Sequence, residues 1–206
     1  MTNLPEDIFQ DTYGKVKKLI VTKKLSPGQL ITDQRLTHTL NINDGTIPVV
    51  LLQLREESLL VGEPESGLTV RELSEIEISD LFDCRMAIET MTVKLFTKNA
   101  PQSKIDGLRH LLVPFEKGPQ SLYVFHKIDC YFHEYIAKNC GNSMLYNLFK
   151  TAKTTSLMDL VGISRPLNMV MQEHLNLVSA MHQRDEHMAV EAITVHLENS
   201  RKSHLN

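Results

Sequence analysis

Asp129, His133, His174 and His196 are the residues of this chain whose types and spacing could do chemistry. Asp129 and His133 stand four apart in Phe125-His126-Lys127-Ile128-Asp129-Cys130-Tyr131-Phe132-His133, a run whose apolar positions recur with helical spacing. Residues four apart share one face of a helix, so a carboxylate and an imidazole can reach a common point. His174, in Glu173-His174-Leu175, and His196, in Val195-His196-Leu197, fall on two later predicted helices among apolar neighbours. Three imidazoles and one carboxylate form a nitrogen and oxygen donor set of the kind that suits zinc, nickel, manganese or iron. Spacing alone leaves a plainer alternative open, because the chain has nine His and an Asp-x3-His pair is commonly a solvated helical pair. Arg85 and Glu89, also four apart, read the same way: on a helix surface such an ion pair is worth about 0.2–0.5 kcal/mol.

The elements that must position these residues are helices. Ser74-Glu75-Ile76-Glu77 has the capping-box pattern and opens a helix through Leu81, Arg85, Ile88, Glu89 and Leu95. Further helices are expected at Ser103 to Leu112, Ser121 to Lys138, Ser143 to Leu160, Leu167 to Gln183 and Asp185 to Ser203. Pro101, Lys117-Gly118-Pro119, Cys140-Gly141 and Gly162 to Pro166 separate them. Breaks of this kind with little strand signal imply an all-helical bundle over 73–206.

Residues 1–72 carry a different pattern. A helix at Tyr13 to Ile20 stops at Leu25-Ser26-Pro27-Gly28, and a second follows with Thr32 or Asp33 as N-cap and Leu36 and Leu40 on one face. Beyond Asn41-Ile42-Asn43-Asp44-Gly45 comes a third. Leu59-Leu60-Val61 and Leu68-Thr69-Val70 then flank a Gly- and Pro-containing turn, as in a wing hairpin. The fold expected is therefore mainly α, an N-terminal winged helix-turn-helix followed by the bundle. Pro48 is tolerated only in a first helical turn, so helix three is expected to start late, with Thr46 as N-cap. Ile47, Val50, Leu51 and Leu54 would then face the core and Val49 and Leu52 the solvent.

A chain of 206 residues accommodates two modest domains, and 25 acidic against 22 basic residues supply no cationic block. Three Cys without a CxxC pattern read as reduced thiols. Met1 to Tyr13 is acidic, and the longest apolar run, Ile47 to Leu52, is far short of a membrane span. A soluble, cytoplasmic protein with no membrane contact is the expectation.

The C-terminal half resembles the FCD ligand-binding domain of the FadR branch of GntR-type bacterial transcriptional regulators. The resemblance is carried by Asp129-Cys130-Tyr131-Phe132-His133, the downstream Asn142, Glu173-His174-Leu175, and Arg184 to Ala189 closing on Val195-His196-Leu197. It implies that Asp129, His133, His174 and His196 hold a divalent metal, zinc foremost with nickel, manganese or iron as alternatives, at the floor of a helical pocket. His126, His182 and His187 do not fall on ligand positions, although His126, seven residues before His133, could face the pocket. Arg85 and Glu89 match the family's Arg-x-x-x-Glu. Arg85 is thereby implied to bind the effector, and its planar fork of donors suits a small organic acid. Homodimerisation and operator DNA are implied as well.

Leu25-Ser26-Pro27-Gly28 and Glu57-Ser58-Leu59-Leu60-Val61 are similar to the GntR DNA-binding domain, which places Gln34, Arg35, Asn43, Gly45, Thr46 and Gly67 among the DNA-facing positions. The chain departs from the family there. Asp33-Gln34-Arg35-Leu36 stands where the family has Glu-Arg-Glu-Leu, which turns the guanidinium by about 100° around the helix. Asp44 and Pro48 replace both arginines of the recognition helix, and the wing carries Glu63 and Glu65. Phosphate neutralisation supplies much of the affinity of such proteins, and an Asp opposes it. A second reading is thus a sensor that has lost specific DNA binding and uses this face for protein contact. A metal-dependent hydrolase, with His126 or Glu134 as base, is a remote third. Nothing in the sequence fixes either base at the metal, and an enzyme is not expected.

Overall fold

The computed structural model describes residues 6–42, 45–64, 67–115, 118 and 121–205. The chain divides into two compact units, Met1–Leu73 with Ser156–Leu160, and Ser74–Thr155 with Val161–Asn206.

The first unit opens with α1 (Glu6–Val21), which begins about two turns before the expected Tyr13. Glu6 and Asp7 complement the helix N-terminus, while Thr12, Val16 and Ile20, four apart, form its buried stripe. In α2 (Asp33–Leu40) the Thr32 hydroxyl accepts from the Arg35 N–H, and Asn41 ends the helix in the left-handed region at φ 52°. Helix α3 (Ile47–Glu56) starts after Thr46 with Pro48 in its first turn. Ile47, Val50, Leu51 and Leu54 are buried, whereas Val49 and Leu52 are 43% and 46% exposed, as the sequence predicts. A three-stranded antiparallel sheet in the order β1-β3-β2 completes the wing. Strand β2 (Leu60–Glu63) and β3 (Gly67–Val70) pair with Leu60 opposite Val70. Strand β1 (Leu30–Ile31) is too short to show an alternation in sequence, and pairs Leu30 with Thr69.

The second unit is helical: α4 (Glu75–Asn99), α5 (Gln102–Leu112) continued by a 3-10 turn at Val113–Phe115, α6 (Leu122–Asn139), α7 (Ser143–Thr151), α9 (Leu167–His182) and α10 (Glu186–Leu205), with α8 (Thr154–Val161) divided between the units. The capping box at Ser74 and Glu77 is formed in both directions. Helices α4 and α10 run antiparallel. Arg201 near the end of α10 bonds Asp83 and Ser79 at the start of α4, at 2.8 and 2.6 Å. Arg184, just ahead of α10, donates to the Thr97 carbonyl at the other end of α4. The single helix expected over Ser143 to Leu160 is broken into α7 and α8, with Lys153 at φ 52°. No Gly or Pro marks that break, so local chemistry did not disclose it. Phe96, Phe132, Leu108 and Ile193 are fully buried in the core of this unit. Among the described residues, no helix is long and apolar enough to cross a membrane.

Candidate metal centre

Three helices of the second unit bring the four residues together. Asp129 and His133 project from α6, His174 from α9 and His196 from α10, all four buried. One donor atom from each lies within 4.8 Å of the others. His174 Nε2 stands 3.3 Å and His133 Nε2 3.9 Å from the same oxygen, Asp129 Oδ1. The rings of His133 and His196 have centroids 5.2 Å apart, and those of His174 and His196 4.8 Å.

The fit of a metal to this cluster rests on its orphaned atoms. Asp129 Oδ1, His133 Nε2 and both ring nitrogens of His174 are buried without a hydrogen-bond partner. Each such atom costs about 1–3 kcal/mol when left unsatisfied, so several converging on one point need a compensating group. A divalent cation bound by nitrogen and oxygen donors supplies it. Burial pushes the imidazoles of His174 and His196 below their ordinary range, and the neighbouring rings push them further. Both rings are therefore neutral at pH 7, the form a metal requires.

A pH dependence follows for the chelator-treated protein. The unfolded chain holds these two rings near their ordinary pKa of 6.5, while the folded chain holds them lower. Between those values the unfolded state binds more protons, so the stability present above pH 6.5 is lost as pH falls through and below it. The melting temperature should fall between pH 7 and pH 5.5; a flat profile would place the rings in a solvated or charged state instead.

Two carboxylates stand behind the imidazoles. Glu173, on α9, accepts from His196 Nδ1 at 2.8 Å, from Arg165 through both oxygens at 2.7 Å, and from Asn199 at 2.8 Å. Glu89, on α4, accepts from Arg85 Nε at 2.6 Å, and its other oxygen lies 2.6 Å from His133 Nδ1. That oxygen has no hydrogen bond of good geometry, so its tie to His133 is one of proximity. Burial would raise the Glu89 carboxyl, but Arg85 and His133 outweigh it and hold the group well below the usual carboxylate range.

Sequence reasoning found Arg85 and Glu89 as a pair, a helix-surface pair by spacing alone and with Arg85 at the pocket by resemblance; the structure buries both, at 4% and 3%. Glu173 and Arg165 were missed. Glu173 meets His196 across 23 residues and Arg165 across eight in a bend, and no helical periodicity signals either contact. His126 is buried apart from the four, its Nε2 3.6 Å from Cys130 Sγ. His182 and His187 are exposed. Glu134 accepts from the Tyr146 hydroxyl at 3.0 Å.

In the first unit, Gln34 and Arg35 are exposed on α2, and Gly45 bends the backbone at φ 72° before α3. Thr46, placed among DNA-facing positions by the resemblance, is fully buried at the start of α3, so its side chain does not face outward. Gly67 adopts φ 105°, and a Cβ there would meet Leu30 Cδ1 at 2.7 Å, so the position serves the sheet. Asn43, Asp44 and Glu65 lie outside the described residues.

Residues 80–199 match the FCD domain family. Over 200 residues the chain is 27% identical to the HTH-type transcriptional repressor GlaR of Escherichia coli K12, with 91% of each protein covered. It is 21% identical over 204 residues to the repressor RspR of the same organism, covering 95% of this chain and 88% of that one. A GntR protein from Rhodococcus sp. RHA1 has the same fold, with a TM-score of 0.73 at 16% identity over 97% of this chain and 98% of that chain. These relatives are transcriptional regulators. Winged-helix fold, helical FCD domain and relatives agree, and the chain belongs to the GntR family of transcriptional regulators that carry an FCD domain.

Proposed function

We propose that this regulator senses a small organic acid at a divalent metal ion held by Asp129, His133, His174 and His196. The observation that carries the reading is the convergence of orphaned buried donor atoms from three helices. Nitrogen and oxygen donors suit zinc first, with nickel, manganese or iron as alternatives. Four protein ligands leave room for a further one on metals that accept more than four, and a carboxylate fills it. Arg85 keeps terminal donors beyond the Nε that binds Glu89, and these would meet the acid. Effector binding would bias the packing of the helical domain in a cytoplasmic homodimer, and hence the presentation of two winged helices to operator DNA. A thermal-shift screen of organic acids, run with and without chelator beside elemental analysis, tests this. A stabilisation that vanishes on chelation is the expected result; acid binding indifferent to chelator would refute it.

A specific observation favours a second reading of the winged helix. Val49 and Leu52 are exposed on α3, and a groove of about 380 Å³ lined by Leu30, Thr32, Pro48, Leu52, Pro64 and Leu68 lies beside them. Arg55, the cation of α3, pairs with Glu63 of the wing at 3.0 Å. A face with so few cations suits protein contact better than phosphate. With roughly one or two phosphate-contacting cations per protomer, the slope of log affinity against log salt should be no steeper than about −4 for a dimer. Nanomolar, sequence-specific binding with a slope near −8 in fluorescence anisotropy would eliminate the protein-contact reading.

A further inference from the structure

Glu173, on α9, accepts four hydrogen bonds. Both oxygens are taken by the Arg165 guanidinium at 2.7 Å, Asn199 donates to one oxygen at 2.8 Å, and the other receives the His196 ring at 2.8 Å. Arg165 is held in turn by the Ser200 hydroxyl at 3.3 Å. A carboxylate clamped by a guanidinium on both oxygens is ionised and can only accept. Nδ1 of His196 must therefore carry the proton of that bond, which leaves Nε2 as the atom available to a metal. His133 has a looser counterpart on the other side of the cluster, its Nδ1 2.6 Å from a Glu89 oxygen without a hydrogen bond of good geometry and its Nε2 orphaned near Asp129. His174 has no such carboxylate behind it among the described residues, since both of its ring nitrogens lack a hydrogen-bond partner there.

From this asymmetry we infer that Glu173, anchored by Arg165, is a positioning residue that fixes the tautomer and ring plane of His196 as a metal ligand, and that His174 is the one imidazole whose tautomer is chosen only when the metal arrives. The inference rests on the metal reading above. Carboxylates placed behind metal-bound imidazoles orient the ring and raise its donor strength, and removing one typically lowers metal affinity by about 10- to 100-fold.

Cobalt(II) is the probe, because its visible spectrum reports ligand geometry and its affinity can be measured against a chromophoric chelator. Glu173→Ala should lose roughly 10- to 100-fold in cobalt affinity and shift the visible band. Glu173→Gln, which keeps an acceptor oxygen for Nδ1–H, should recover most of both. A Glu173→Ala protein with wild-type cobalt affinity and spectrum, changed only in melting temperature, would reduce Glu173 to a tether and overturn the assignment. Should the wild-type protein bind no cobalt, the metal reading falls and this assignment with it. A measurement on wild-type protein covers the case in which the alanine variant fails to fold. In chelator-treated protein, long-range proton–nitrogen NMR should report His196 as the Nδ1–H tautomer and His174 as a mixture. A single Nε2–H form at His196 would overturn the proposal.

Discussion

Replacing His174 with Ala is expected to abolish stoichiometric metal retention and to remove the metal-dependent part of the melting temperature. His174 is 1% exposed and its Nε2 lies 3.3 Å from Asp129 Oδ1, so its loss opens the centre from four donors to three. An ion that binds only the folded state stabilises it by about 2.7 kcal/mol at a hundred times its Kd and about 4.1 kcal/mol at a thousand times. That is a large share of a typical stability of about 5–15 kcal/mol. The same substitution also removes two orphaned ring nitrogens and leaves a cavity beside Phe132, whose ring stacks on His174 at 4.4 Å. Those effects oppose one another. The chelator-treated variant should therefore melt within a few degrees of chelator-treated wild type, while the metal-loaded proteins differ widely. Calorimetry with and without chelator, beside elemental analysis, makes the comparison. Unchanged metal content in His174→Ala would strike that residue from the ligand set.

Arg85→Ala should be the most destabilising single change in the helical domain outside the apolar core. Arg85 Nε and Glu89 Oε1 are 2.6 Å apart and both side chains are almost wholly buried. Removing one partner of a buried pair leaves an uncompensated charge and costs about 3–5 kcal/mol. For a chain of this length that lowers the melting temperature by roughly 6–20 °C. Part of the loss will be recovered as Glu89 takes up a proton, because the guanidinium that holds its pKa down is gone. Arg85→Lys should not rescue fully, since a compact ammonium lacks the planar fork that reaches Glu89 and retains donors for an acid. Arg85→Ala combined with Glu89→Gln should regain stability relative to the single variant but not the response to organic acids. Urea denaturation of the three variants separates these effects, and a loss below about 1 kcal/mol for Arg85→Ala would mean that water reaches the pair.

Much of the architecture was legible because it is written in local chemistry. Ser74 and Glu77 announced the start of α4, Thr32 that of α2, and Pro48 set the rotation of α3 so that Val49 and Leu52 turned outward. Asp129 and His133 were readable as a pair since a helix places residues four apart on one face. Where elements are short or breaks lack Gly and Pro, the signal disappeared. Strand β1 has two residues and depends on its pairing with β3, and the interruption between α7 and α8 follows a left-handed Lys153.

The amino-acid sequence by itself determined most of the helices, the caps at Thr32 and Ser74, the wing hairpin and the order of the four donors, because propensity, capping and periodicity act over a few residues. Only the tertiary structure decided that Arg85 and Glu89 are buried and that Glu89 backs His133 from α4. It alone brought Glu173 of α9 against His196 of α10, with Arg165 behind it. It also drew Thr46 into the core. Those contacts join elements through packing of buried faces, and packing selects partners by proximity in space, which no spacing along the chain encodes.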